Sequence, residues 1–209
     1  MNNRLEKYTK DMLKKLTLDD LLSLIGEREK PKQSYIYENF VKADFSKTVF
    51  AGSFANIVDV KNYGVMCCIN DGFIALNCYP YKASRNCVLE CAVMFGDYRN
   101  GMIAFVDSTG KNLIKLEVNK DDKISACTCN GSNHDFIIVG SYSIIQLYKF
   151  KIVASADQVK FYVNDTLVHT NNNADTIPTD WLTIKLSYDG YMYVKYVEAY
   201  QDDIELENP

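Results

Sequence analysis

The spacing of apolar positions changes once along the chain. Up to about residue 30 it is helical: Leu5, Tyr8, Met12, Leu13 and Leu16, then Leu18, Leu21, Leu22 and Ile25, so each stretch carries one apolar stripe when wound at 3.6 residues per turn. Thr17-Leu18-Asp19-Asp20 has the form of a helix N-cap, in which a hydroxyl accepts from an otherwise unpaired amide of the first turn. A break near Leu16 and a second short helix closed by Gly26 are therefore expected. After the polar link Lys30-Pro31-Lys32-Gln33-Ser34, short apolar or alternating runs recur between the turn formers Asp71-Gly72, Asn100-Gly101, Asn130-Gly131 and Asp189-Gly190.

These runs predict strands over 65–69, 73–77, 87–95, 102–107, 112–118, 123–129, 136–139, 143–154, 158–163, 166–169, 182–187 and 192–200. No stretch of helical period separates them, which excludes alternating strand-helix units and leaves an antiparallel sandwich. The chain thus divides into a helical segment and linker at 1–33 and a mainly all-β domain at 34–209. A short amphipathic helix cannot bury its stripe alone. Leu18, Leu21, Leu22 and Ile25 are accordingly the expected docking or oligomerisation residues, against the sandwich, a second copy or a larger assembly.

Composition narrows the class. With 209 residues, 47% hydrophobic and 24% charged, 10 Gly and 4 Pro, the chain has an ordinary globular make-up and enough length for a sizeable core. A net charge of −4 supplies no basic footprint for nucleic acid. The opening residues contain no apolar signal-peptide core, and no apolar run approaches the length of a membrane span. The expected location is cytoplasmic, or the virion for a viral chain. Seven cysteines without a CxxC, and two histidines in polar turns, read as buried thiols and surface imidazoles, with no metal and no cofactor. The oxygen-rich stretches Lys120-Asp121-Asp122-Lys123 and 171–175 lack EF-hand order and read as solvated turns.

The closing third carries a more specific pattern: Tyr148-Lys149-Phe150-Lys151-Ile152, then Val159-Lys160-Phe161-Tyr162-Val163-Asn164-Asp165-Thr166-Leu167-Val168, then Met192-Tyr193-Val194-Lys195-Tyr196-Val197-Glu198-Ala199-Tyr200. It resembles the last strands of the concanavalin A-like lectin/glucanase (laminin G-like) superfamily. Val88 to Phe95 followed by Gly101 to Asp107 resembles the middle strands of the same jelly roll. The resemblance covers roughly residues 36–202 and implies an antiparallel two-sheet jelly-roll sandwich. Asp165 stands where the family often has Gly, but Asn-Asp also tolerates the left-handed backbone of a tight hairpin.

Glucanases of this superfamily need two carboxylates across the scissile bond, projected from one strand as E-x-D-x-x-E. The strand expected there, Asn112 to Asn119, places Lys115, Glu117 and Asn119 on one face. A lone Glu117 cannot play both parts, so no catalytic residue and no enzyme activity are expected. The reading from sequence is a non-enzymatic recognition or structural module, glycan-binding or part of a virion. The alternatives are a purely structural assembly protein using the N-terminal helices and a diverged glycoside hydrolase retaining Glu117. Pyranose faces stack on aromatic rings while polar neighbours satisfy the hydroxyls. On that ground Tyr79, Tyr81, Arg85, Tyr98, Arg99 and Trp181 are the candidate contacts for a glycan or glycosylated surface.

Overall fold

The computed structural model describes residues 80–202 in full and, before them, the backbone of residues 36–38, 48–51, 55–60, 63–68 and 72–79. The elements, in chain order, are β1 Ile36–Glu38, β2 Thr48–Ala51, β3 Ala55–Val60, β4 Tyr63–Cys68, β5 Gly72–Tyr81, β6 Cys87–Phe95, β7 Gly101–Val106, β8 Asn112–Val118, β9 Lys123–Asn130, β10 Asn133–Ser141, β11 Leu147–Ala154, β12 Val159–Val163, β13 Thr166–Asn171, β14 Leu182–Tyr188 and β15 Met192–Tyr200. They form two antiparallel sheets. Sheet A runs β13-β12-β11-β6-β15-β4-β3, with β1 also pairing β15, and sheet B runs β10-β9-β8-β7-β14-β5-β2. Among the described residues the helical content is two single 3-10 turns, at Ala83–Arg85 and Ala174–Thr176. No helix among them is long and apolar enough to cross a membrane.

Alternation explains why these stretches become half-buried strands. In β8, Ile114, Leu116 and Val118 face the core while Lys115 and Glu117 face outward. In β11, Tyr148, Phe150, Ile152 and Ala154 point in and Lys149 and Lys151 point out. The interior is one cluster to which both sheets contribute, Leu89, Cys91, Val93 and Phe95 of β6 on one side and Ile103, Phe105, Ile114 and Ile184 on the other. β15 keeps its register with this core through a bulge between Val194 and Tyr196, which lets Val194 and Val197 both point inward.

The β12–β13 hairpin closes through Asn164 (φ 50°) and Asp165 (φ 63°), two consecutive left-handed residues in the manner of a primed turn. β5 runs on to Tyr81 rather than ending at residue 77, and other differences from the sequence reading are at short or exposed strands. β10 runs from 133 to 141 rather than 136–139, because pairing with β9 extends it over polar residues, and residues 143–146 form a turn instead of the start of β11. β1, β2 and β3 were not foreseen; three to six residues give too little alternation to register as a period. The boundary at 33/34, and Leu18, Leu21, Leu22 and Ile25, lie outside the described residues.

Gly101, at the start of β7, is dictated by packing. A Cβ there would press on the Tyr188 ring and stand 2.8 Å from the Ser187 carbonyl oxygen. Gly101→Ala is expected to cost about 1–3 kcal/mol through overpacking, read as a fall in Tm of several degrees, roughly 2–4 °C per kcal/mol at this size, in thermal unfolding followed by circular dichroism.

Candidate functional site

The outward rows of sheet B follow from its register. Ser125, Glu117, Met102 and Ser187 lie in line across β9-β8-β7-β14. One step along, Cys127, Lys115, Ala104 and Lys185 form the next row. Lys115 and Glu117, two apart on one strand and therefore on one face, form an ion pair with side chains only 20% and 26% exposed.

At the Glu117 end this face opens into a cleft of about 230 Å³ lined by Asn100, Gly101, Met102, Glu117, Val118, Asn119, Ser187 and Asp189. Its walls come from three places in the sequence: Asn100 from the β6–β7 loop, Asn119 from just beyond β8, and Asp189 from the β14–β15 turn. Two buried tyrosines hold them together. Tyr188 donates its hydroxyl hydrogen to the Asp97 carbonyl and accepts from the Arg99 amide at 3.2 Å. Tyr142 donates to the Asn119 carbonyl at 3.0 Å, with the Arg99 carbonyl at 3.4 Å. Burial raises the pKa of both phenols above its ordinary value, so both stay neutral donors. The Asp97 carboxylate accepts from the Tyr191 amide at 3.2 Å and lies where a side chain on Gly190 would be, and the Asp189 amide donates to the Asn100 carbonyl at 2.9 Å.

The expected glycan contacts separate into groups. Tyr98 and Arg99 stand in the loop next to Asn100: Tyr98 is exposed with its ring 5.4 Å from that of Tyr142, and Arg99 pairs with Asp97 at 3.4 Å. Trp181 precedes β14 at the other end of the sheet, and the length of β14, roughly 20 Å at strand rise, separates it from Asp189. The Arg85 guanidinium and the Lys82 ammonium sit 4.5 Å and 4.7 Å from its ring centre. Tyr81 is wholly buried against Phe105, its ring part of the core. The side chain of Tyr79 lies outside the described residues.

Three of the described thiols are no nucleophiles at neutral pH: burial pushes Cys87 up to about 12 and Cys127 up to about 11, and Cys91 is raised as well. His134 is an exposed residue of β10, and His169 stacks on Phe161 and meets Asp135 at 3.1 Å, linking β13 to β10. In the sequence Asp189-Gly190 signals only a turn, which it forms, and nothing along the chain marks Asp189 for the cleft.

No family model matches the sequence, and no curated protein does. Solved structures match the fold. A Bacillus licheniformis β-glucanase superposes with a TM-score of 0.65 at 13% identity, over 80% of this chain and 98% of that one. The sandwich is a concanavalin A-like jelly roll. A Crh5 transglycosylase gives a TM-score of 0.66 at 12% identity over 83% of this chain and 86% of its own. The Bacillus subtilis carbohydrate-binding module CBM66 gives 0.56 at 16% over 71% and 92%. Likeness at these identities establishes the fold.

The neighbours also correct the expectation of a non-enzymatic module, since glycan-cleaving and glycan-transferring enzymes are among them. That expectation rested on finding one carboxylate on one jelly-roll strand. A motif read along a single strand misses Asp189, which the fold brings to the same cleft from a distant turn. The neighbours give no support to a virion role.

Tyr188→Phe tests the clasp. Removing one hydroxyl from two partners is expected to cost about 1–2 kcal/mol. Amide hydrogen exchange in residues 96–101 and 189–191 should rise well above that in β11 and β12, as read by mass spectrometry.

Proposed function

We propose that the chain is a glycan-active enzyme, a diverged glycoside hydrolase or transglycosylase, that binds its substrate and reacts in the cleft at the Glu117 end of sheet B. One observation carries the reading: Glu117 and Asp189, far apart in sequence, line the same open cleft. Glycosidic cleavage needs two such groups. The carbon–oxygen bond at the anomeric carbon breaks, and one carboxylic acid gives its proton to the departing oxygen. The other carboxylate takes a proton from the incoming water, or attacks the anomeric carbon and is later displaced by water or an acceptor sugar.

Beside this pair, Ser187, Asn100 and Asn119 bring polar side chains to the cleft for sugar hydroxyls. The exposed Tyr98 ring next to Asn100 offers a stacking face for a pyranose. The arrangement departs from the glucanase pattern, whose carboxylates share one strand; in β8 the position two before Glu117 is Lys115, and its ammonium fixes the Glu117 rotamer through the ion pair.

Reducing-end release from a panel of β-glucans, mannans, xylans, galactans and polyuronates tests this. Turnover of at least one polymer is expected, with Glu117→Gln and Asp189→Asn each lowering kcat by about 10²-fold or more while Tm stays within a few degrees of the parent. Absence of turnover across the panel, or full activity in both variants, sinks the reading.

A further inference from the structure

We propose that β10 is a self-docking edge, along which two copies of this chain pair antiparallel and join their B sheets into one. β10 is the terminal strand of sheet B and hydrogen-bonds to β9 alone among the described strands. Every second residue of such a strand turns its N–H and C=O away from the sheet, and those groups fit another strand. The inference is independent of the glycan-active reading, because the cleft is lined from β7, β8 and the ends of β14, and β9 stands between them and β10.

The strand lacks most of what blunts an edge. It runs for nine residues, from Asn133 to Ser141, without Pro, Lys or Arg. Its one carboxylate, Asp135, is taken up by His169 of β13 at 3.1 Å. A bulge between Ile138 and Gly140 leaves 133–138 in regular register. Three large apolar residues in succession stand open to solvent, Phe136 at 51%, Ile137 at 42% and Ile138 at 57%, with Leu167 at 50% on the adjoining edge of sheet A. Apolar patches on the order of a few hundred Å² mark interaction sites.

A second copy is the strand that fits. β10 is apolar at its centre and polar at both ends, with Asn133-His134-Asp135 before Phe136-Ile137-Ile138-Val139 and Gly140-Ser141 after, so its pattern survives reversal. With a two-fold axis at Ile137, Phe136 of each copy stands opposite Ile138 of the other on the outer face, where register with Cys127 and Ser125 places both. An aromatic ring against a β-branched side chain is a favourable cross-strand pair. Asp135 then faces Val139, so the two carboxylates stand well apart along the pair and like charges do not meet. A strand pairing of this length falls short of the roughly 800 Å² per partner of a standard interface, which makes the dimer a weak one.

Sedimentation velocity on the full chain from about 1 µM to about 300 µM tests this, with a reversible monomer–dimer equilibrium expected at a Kd on the order of tens of micromolar. Hydrogen exchange read by mass spectrometry should show the amides of 133–141 slowing as concentration rises, while those of β11 and β12 stay unchanged. Phe136→Lys and Ile138→Lys, which set an ammonium into the pairing edge, should each weaken association by about tenfold or more. Leu147→Lys makes the same change at a half-exposed residue of the interior strand β11 and should leave association as in the parent. Circular dichroism checks the fold of each variant.

A monomer across the whole range overturns the inference, and β10 amides protected at every concentration in that monomer assign the edge to another segment of the same chain. Association that ignores both edge substitutions, that Leu147→Lys weakens equally, or that continues past the dimer overturns it as well. Where an edge variant misfolds, the concentration dependence of exchange in the parent decides.

Discussion

A phenol buried between two sheets must satisfy its hydroxyl, and at the cleft end of this molecule that requirement organises everything else. Tyr188 lies against Phe95, the large core residue of β6, at a ring distance of 5.0 Å, and Tyr142 meets the same ring at 5.1 Å. The rings are held by packing and the hydroxyls by backbone partners at Asp97, Arg99 and Asn119. An unpaired hydroxyl at such depth costs about 1–3 kcal/mol, so the loops carrying those partners are drawn onto the sandwich. The loop that brings Asn100, the residue after β8 and the turn that brings Asp189 are thus placed by the same core residues that join the sheets.

From that anchoring, the outer face of sheet B acquires its chemistry. Strand alternation puts Lys115 and Glu117 outward on β8, and register puts Lys185 on the same row as Lys115. The clasp then supplies Asp189 opposite the end of that face. Fold and site share their supports, so changes in the Tyr188 region reach both stability and the cleft.

The outer face of sheet A also pairs its charges. Glu90, with a side chain only 12% exposed, receives Lys149 at 3.2 Å, Lys151 at 3.4 Å and the Tyr196 hydroxyl at 2.8 Å. Lys149 also reaches Asp165 in the primed hairpin at 2.8 Å. The charges there are mutually compensated across β6, β11, β15 and the hairpin, and they brace the sheet. At the far end of sheet B, Lys82 and Arg85 set their cations over the exposed Trp181 ring.

Much of the architecture is legible from sequence alone. Alternation over 112–118, 147–154 and 192–200 specifies half-buried strands, because a side chain's face in a strand depends only on its parity, and Asn164-Asp165 specifies its hairpin because only a few residues accept two left-handed positions in succession. Parity likewise puts Lys115 and Glu117 on one face. The cleft was not legible: Asp189, Asn100 and Asn119 are ordinary turn residues until the sheets stack, and Tyr81 and Tyr98 look alike along the chain although one fills the core and the other stands in solvent. Local periodicity determines which way a side chain points within its own strand; only the pairing of distant strands and the burial of Tyr188 decide which side chains then meet.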